Sequence, residues 1–163
     1  MEGTHATSRA TIIQLTLFMI TVVQRVIHAN VVIDNELVGQ INAGIVALVA
    51  VEKADTQKEA ERLLERILNY RIFADENDRM NLSLRDIKGE LLLIPQFTLA
   101  ADTQKGNRPS FISAAPPEKG LQLFSYLQSI AKNSYEKVEF GRFGADMKVT
   151  LVNDGPVTFM LRS

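Results

Sequence analysis

Residues 45–68 read IVALVAVEKADTQKEAERLLERIL and join two elements whose hydrophobic periods differ. The run from Ile45 to Val51 is continuously apolar and rich in β-branched side chains, which is typical of a fully buried strand. Thr56 and Glu59 then have the spacing of a capping box, in which each side chain accepts from the other residue's free backbone N–H. Five apolar residues follow at helical spacing and predict a helix that packs on the core: Ala60, Leu63, Leu64, Ile67 and Leu68.

Outside this stretch, short apolar runs alternate with turn signals. They predict a hairpin around Asp34-Asn35, a buried strand at Leu91 to Ile94, a helix opening at Pro116-Pro117-Glu118, and two strands, Met147 to Val152 and Val157 to Leu161, around a turn at residues 153–156. The order β-β-β-α-β-α-β-β predicts an α+β fold with mostly antiparallel pairing.

Length and charge narrow the class of protein. A chain of 163 residues is within the usual range for a single domain, and 46% hydrophobic with 23% charged residues is ordinary for a globular protein. The formal net charge of -1 argues against a surface that coats nucleic acid, because that mode needs many contacts from Lys and Arg to phosphates. A protein that grips only the end of an RNA remains compatible with this charge.

Cysteine and histidine usage limits the chemistry further. The absence of cysteine excludes a disulfide scaffold, a thiolate nucleophile and any cysteine-based metal site. The only histidines are His5 and His28, so a multi-histidine metal site is nearly excluded. We therefore predict no metal and no cofactor. The chemistry of an enzyme with this sequence must use backbone groups, hydroxyls, carboxylates or the substrate itself.

The N-terminal region contains an apolar run from Thr11 to Val23. Its length, about a dozen residues, is short of the roughly 20 that a transmembrane helix needs. The run has the length of a secretory hydrophobic region, but Ile27-His28-Ala29 is a poor cleavage site. We favour the interpretation that it merges into the first strand, at residues 21–26. This interpretation predicts an extension at residues 1–18, a domain at residues 19–163, no membrane association and a cytoplasmic location.

Three segments are candidates for a site: Pro95 to Leu99 at a strand end, the loop Lys105 to Phe111, and Asn153 to Thr158. Each has a simpler structural explanation when it is taken alone. Thr98 belongs to a residue type common in strands, loop charges are usually solvated, and Asn-Asp-Gly-Pro favours turns.

Taken together, these segments resemble the D-aminoacyl-tRNA deacylase family, from about Met19 to the C-terminus. The matching stretches are Val23-Gln24-Arg25-Val26, Tyr70-Arg71-Ile72-Phe73, Met80-Asn81-Leu82-Ser83, Gln96-Phe97-Thr98-Leu99, Gly106-Asn107-Arg108-Pro109-Ser110-Phe111, Gly141-Arg142-Phe143-Gly144-Ala145-Asp146-Met147 and Leu151-Val152-Asn153-Asp154-Gly155-Pro156-Val157-Thr158. So many short sequence motifs in the same order make the resemblance highly specific.

The resemblance implies a barrel-like sheet with two principal helices and a homodimer whose active site lies at the subunit interface. Pro95, Gln96, Phe97 and Thr98 match the family's Ser-Gln-Phe-Thr pocket segment, and Gly155-Pro156 matches a Gly-cis-Pro dipeptide that enters from the other subunit. Arg25 matches an arginine that orients this dipeptide, and Met147 is placed with the substrate-binding residues. The implied substrate is the 3′ end of a tRNA that carries a D-amino acid or glycine, and L-amino acids are rejected. A methyl group at Gly155 would then point into the pocket.

Catalysis requires hydrogen-bond donors for the developing oxyanion and an activated nucleophile. The family suggests the backbone N–H groups of Phe97 and Thr98 as donors, and the vicinal 2′-OH of the substrate as the activator of water. A nucleophilic Thr98 is the alternative mechanism, although the sequence offers no evident base for it. Pro95 departs from the family serine and lacks both a hydroxyl and an N–H, which bears on ribose contacts and on selectivity. A start with Pro-Gln is typical of the related animal-type tRNA deacylases.

Two other functions compete with a deacylase: a non-catalytic module that binds an RNA end or a nucleotide, and a structural dimer. The full pocket set, Gln96 to Thr98 with Gly155 and Pro156, favours the enzyme.

Overall fold

The computed structural model describes residues 18–163, which form eight strands, three α-helices and one 3₁₀ helix. The strands are β1 (Ile20–Ile33), β2 (Glu36–Ile41), β3 (Gly44–Ala50), β4 (Phe73–Ala74), β5 (Met80–Leu82), β6 (Glu90–Pro95), β7 (Val138–Phe140) and β8 (Lys148–Arg162). The helices are α1 (Gln57–Asn69), α2 (Leu84–Ile87) and α3 (Pro117–Ser134), and the 3₁₀ helix spans Phe97–Ala100. No helix in this range is long and apolar enough to cross a membrane.

The long strand β1 organises the main sheet. Its first half pairs with β3 and its second half with β2, while β8 pairs with it along both halves, all antiparallel. The order β2-β1-β3-β6-β7 is completed by parallel pairing of β3 with β6 and of β6 with β7. The result is the predicted α+β fold, with a nearly closed, barrel-like sheet in which antiparallel pairs predominate.

Strand β3 of the main sheet is buried on both faces. On one face, α1 and α3 cover alternate residues of β3, namely Ile45, Ala47 and Val49. On the other face, Val46 of β3 packs inside the barrel with Val31, Ile41, Leu92 and Ile94 from the neighbouring strands. Because β3 has no solvent-facing side, its sequence is continuously apolar instead of alternating.

The local signals in the sequence are confirmed. Asp34 and Asn35 form the turn between β1 and β2 with positive φ angles of 49° and 64°, the backbone that a tight hairpin turn requires. The Thr56–Glu59 capping box is present at the start of α1, and proline occupies the first turn of α3.

The prediction of two strands around a turn at residues 153–156 was wrong. Asn153 pairs with Val26 and Thr158 pairs with Gln24, so the chain continues along β1 without reversing. Between these pairs, β1 contributes only Arg25 where β8 contributes four residues, which makes the segment a long, irregular bulge. Bulges and turns draw on similar residue types, and only the partner strand distinguishes them. The sequence also did not predict β4, β5, α2 and β7, which are each two to four residues long.

The predicted extension lies outside the described residues except for Phe18, as do His5 and most of the apolar run from Thr11. The part of that run from Ile20 onward belongs to β1, as expected.

Candidate active site

The end of β6 leaves two backbone donors free. Gln96 N–H donates to Val49 O at 2.7 Å, after which the chain turns into the 3₁₀ helix. Within that turn, Leu99 N–H donates to Gln96 O and Ala101 N–H to Thr98 O. Among residues 18–163, the backbone N–H groups of Phe97 and Thr98 have no hydrogen-bond acceptor. They are the orphan donors expected at the first turn of a helix, and the flanking bonds hold the segment in place.

The Thr98 hydroxyl has no base beside it within the described part of the chain. Its hydrogen-bond partner is the Gln96 side chain, whose Nε2 lies 2.5 Å from Thr98 Oγ1. A carboxamide cannot accept the hydroxyl proton at neutral pH, whichever way it is oriented. This environment does not activate Thr98 as a nucleophile.

An apolar cavity of about 470 Å³ adjoins these donors. The exposed ring of Phe97 forms part of its wall, with Phe111 at a centroid distance of 5.3 Å and a tilt of 47°. The remaining lining comes from the ends of β3 and β6, the start of α3 and the loop after β7: Val49, Ala50, Val51, Pro95, Ala114, Ala115, Pro116, Pro117, Gly120, Phe124, Phe143 and Gly144. Its size is typical of a small-molecule site.

Met147 lies beside Pro95. An ideal Cβ on Gly141 would be 2.9 Å from Met147 Sδ and 3.2 Å from Pro95 Cδ, so both side chains pack against the same glycine. The Arg142 N–H donates to the Met147 sulfur at 3.4 Å. The structure thus brings Met147 next to the segment from Pro95 to Thr98, although the two are far apart in sequence.

A second group forms around the bulge of β8. The Gly155–Pro156 peptide bond is cis, and Gly155 has a φ of +130°. The Arg25 guanidinium donates to Asp154 O at 3.1 Å and to Ile72 O at 2.8 Å. Asn153 Oδ1 also accepts from Val157 N–H at 3.0 Å, which closes the base of the bulge. Arg25 therefore fixes the residue that precedes the Gly-Pro dipeptide.

Within a single chain, the segment that carries Phe97 and Thr98 and the bulge that carries Gly155 and Pro156 do not line the same cavity. Gly155 and Pro156 are exposed on the bulge, and neither lines the cavity beside Phe97. A Cβ on Gly155 would be 2.7 Å from Val157 Cγ2 and 3.1 Å from Arg25 Nη2 of the same chain. Within the single chain the methyl group would therefore contact Val157 and Arg25, and the expectation that it points into a pocket of the other subunit stays a prediction.

Sequence reasoning missed two features near the site. Phe143 and Phe111 lie in stretches that carried the family resemblance, yet an aromatic residue in a loop gave no separate sign that it lines a cavity. Asp55, which follows β3, is buried, and burial raises the pKa of its carboxyl to about 6, although Asp55 Oδ2 accepts from Glu52 N–H at 2.6 Å. No described group of three or more His, Asp or Glu residues is placed to hold a metal ion.

Comparison with known proteins places this geometry in a family. The model of the D-Tyr-tRNA(Tyr) deacylase family matches residues 22–162. The chain is 56% identical over 144 residues to the D-aminoacyl-tRNA deacylase of Francisella tularensis subsp. novicida, covering 88% of this chain and 99% of that protein. It is 58% identical over 139 residues to the D-aminoacyl-tRNA deacylase of Pseudomonas putida, covering 85% and 96%.

Two solved structures are similar. The c-Myc DNA unwinding element binding protein superposes with a TM-score of 0.82 at 40% identity, covering 88% of this chain and 98% of that one. A probable eukaryotic D-amino acid tRNA deacylase superposes with a TM-score of 0.76 at 16% identity, covering 90% and 100%, and that likeness shows the fold alone. The chain therefore belongs to the D-aminoacyl-tRNA deacylase family of hydrolases.

Proposed function

We propose that this protein hydrolyses the ester bond of D-aminoacyl-tRNA, and of glycyl-tRNA mischarged on tRNA-Ala, to free amino acid and tRNA. The observation that carries this proposal is the pair of unsatisfied backbone N–H groups, on Phe97 and Thr98, beside an apolar cavity. The reaction is a chiral proofreading step that removes D-amino acids before translation uses them.

The two N–H groups act as the oxyanion hole. When water adds to the ester carbonyl, its oxygen becomes negatively charged, and donors that are already oriented stabilise that charge without reorganisation. Loss of one such donor in other hydrolases costs roughly 10²–10³ in rate. The bond from Gln96 N–H to Val49 O ties the donors to the sheet, so they keep their direction.

The substrate supplies the activating group. The 2′-OH next to the ester takes a proton from the attacking water and passes its own proton to the 3′ oxygen. The tetrahedral intermediate then collapses to the free amino acid and a tRNA with both ribose hydroxyls restored. The Thr98 hydroxyl takes no covalent part, because its partner is the Gln96 carboxamide. This scheme uses neither metal nor cofactor, and it suits a protein that works in the cytoplasm, where charged tRNAs are used.

The cavity receives the 3′-terminal adenosine. The tilted ring pair of Phe97 and Phe111 offers an apolar wall to a base, and Pro95, Gln96 and Met147 border the place where the ribose and the amino acid enter. Proline at position 95 donates nothing to the ribose, so orientation depends on the neighbouring backbone.

A second copy of the chain completes the site. The exposed Gly155-Pro156 bulge does not line its own cavity, and its two carbonyls are available to the cavity of a partner. There they accept from the amino group of a D-residue or glycine and leave no room for an L side chain, while Arg25 keeps the dipeptide in place. Exposed apolar side chains on β1 and β8 supply an interface: Ile27 (55% exposed), Val152 (40%), Phe159 (38%) and Met160 (60%).

Single-turnover hydrolysis of D-Tyr-tRNA, glycyl-tRNA-Ala and L-Tyr-tRNA tests the activity. We expect the first two to be hydrolysed and the third to be spared. A protein that binds tRNA but hydrolyses none of the three would instead be the non-catalytic RNA-end module.

Sedimentation tests the dimer. Met160→Glu puts a charge on the proposed interface and should give monomers with little activity. Gln57→Glu adds the same charge on the exposed surface of α1 and should leave a dimer. A wild-type monomer at micromolar concentration would contradict the cross-subunit site.

A further inference from the structure

A short loop beside the cavity is closed at its base by two backbone hydrogen bonds. Asp102 N–H donates to Ser110 O at 2.7 Å, and Ser110 N–H donates to Asp102 O at 2.9 Å. Gly106, at the tip, has a φ of +66°, and a Cβ there would meet no atom within 4 Å. The loop, residues 102–110, therefore has a fixed base and a tip that stands clear of the domain. We name it the basic loop.

Both ends of the basic loop are joined to the 3₁₀ helix that contains Phe97 and Thr98. Before it, Ala101 N–H donates to Thr98 O at 3.1 Å. After it, the ring of Phe111 lies 5.3 Å from that of Phe97, and Ser113 Oγ donates to Ala100 O at 2.7 Å. The position of the loop is therefore set by the same residues that offer the oxyanion donors and the cavity wall.

The tip of this loop carries two cations. Lys105 and Arg108 are exposed, and none of the ion pairs among residues 18–163 includes either of them. The acid at the base, Asp102, accepts from the Gln104 N–H at 3.0 Å. Since the chain as a whole has a net charge of -1, any attraction for a polyanion must come from a local group such as this one.

We propose that Lys105 and Arg108 bind backbone phosphates of the tRNA, namely those of the single strand that precedes the terminal nucleotide. The inference rests on the proposed function, because a nucleotide held in the cavity makes the preceding strand leave at its rim, where the basic loop stands. Contacts to phosphates carry no sequence information, so they position any tRNA equally. This suits an enzyme that recognises the attached amino acid instead of the RNA sequence.

Binding of uncharged tRNA, measured by fluorescence anisotropy as a function of salt, tests the proposal directly. Each phosphate contact to a single strand contributes about 0.7 to the slope of log affinity against log salt. Lys105→Ala/Arg108→Ala should therefore reduce the slope by about 1.4, and wild type should lose about sevenfold more affinity than the variant between 50 and 200 mM salt. The control is Lys58→Ala/Arg62→Ala, which removes the same charge from the exposed face of α1 and should keep the wild-type slope.

Hydrolysis of a D-aminoacyl ester of adenosine separates this inference from the proposed function. That substrate has no preceding phosphates, so the loop variant should hydrolyse it at the wild-type rate while its KM for the full D-aminoacyl-tRNA rises. An unchanged salt slope in the loop variant, or an equal loss in the control, would overturn the role of the loop. If wild type hydrolyses neither the adenosine ester nor D-aminoacyl-tRNA, the deacylase function fails, and the binding slopes still decide whether the loop contacts phosphate.

Discussion

Replacing Gly155 by alanine perturbs the bulge of β8 in two separate ways. The residue has a φ of +130°, where side chains with a Cβ are rarely found. The new methyl would also lie 2.7 Å from Val157 Cγ2 and 3.1 Å from both Arg25 Nη2 and Val157 N, distances that require atoms to move. Val157 is buried and Arg25 is hydrogen-bonded to two carbonyls, so neither can yield without breaking other contacts.

The size of the effect follows from these two costs. A residue held in a sparsely populated backbone region costs about 1–3 kcal/mol, and an extra methyl in a filled space costs about 1–3 kcal/mol. We therefore expect Gly155→Ala to lower the free energy of unfolding by at least about 2 kcal/mol, the sum of the lower bounds. If the dipeptide also forms part of a neighbouring subunit's site, a shift of about 1 Å costs roughly 100-fold in rate.

Urea unfolding and single-turnover hydrolysis of a D-aminoacyl adenosine ester measure the two effects. Gly106→Ala is the matched control, because its φ is also positive while its Cβ would meet no atom. The control should lose only the backbone contribution, about 1 kcal/mol, and should keep its rate on this small substrate. Equal losses of stability in the two variants, with the rate of Gly155→Ala unchanged, would refute both the packing argument and the role of the dipeptide.

Three further predictions concern single groups. Thr98→Ala should keep its single-turnover rate within about tenfold, a change of about 1.4 kcal/mol, because the backbone donors remain; a loss of several orders of magnitude, with an acyl-enzyme trapped on wild type, would make Thr98 the nucleophile. Burial raises the pKa of Asp55 from 3.8 to about 6, so the folded chain holds a proton that the unfolded chain has lost, and the free energy of unfolding falls as pH rises through this window. Urea titrations from pH 4 to 7 should show Asp55→Asn gaining stability relative to wild type as pH rises, and a constant difference would contradict this. Chelator should leave hydrolysis of the adenosine ester unchanged, whereas loss of activity restored by a divalent ion would show that a metal is needed.

The elements that the sequence predicted well are those specified by their own residues. The capping box and the apolar face of α1, the positive-φ turn at residues 34–35 and the doubly buried β3 depend on neighbours within a few positions. The nature of the Asn153 to Thr158 segment could not be predicted in this way. Whether its turn-forming residues reverse the chain or bulge from it is decided by β1, more than a hundred residues earlier.

The same distinction, between features set by neighbouring residues and features set by distant ones, applies to the site. The segment of Gln96, Phe97 and Thr98 is contiguous, so it could be recognised as a sequence motif. The proximity of Met147 to Pro95 and the closure of the cavity by Phe143 arise only after β7 and α3 have packed. The raised pKa of Asp55 has no sequence signature either, because it depends on burial that the residues beside it do not encode.

The pairing of β1 with β8 has a consequence for synthesis on the ribosome. Met19 O accepts from Ser163 N–H at 3.1 Å, so β1 and β8, the first and the last of the described strands to be synthesised, lie side by side. At about 5–20 residues per second, one whole edge of β1 waits for seconds as an open template on which another chain can add a strand. Nascent chains arrested before β8 should therefore be cut by protease within β1, whereas the released protein resists. The time for which this edge of β1 stays unpaired is thus set by the rate at which the chain is extended to the end of β8.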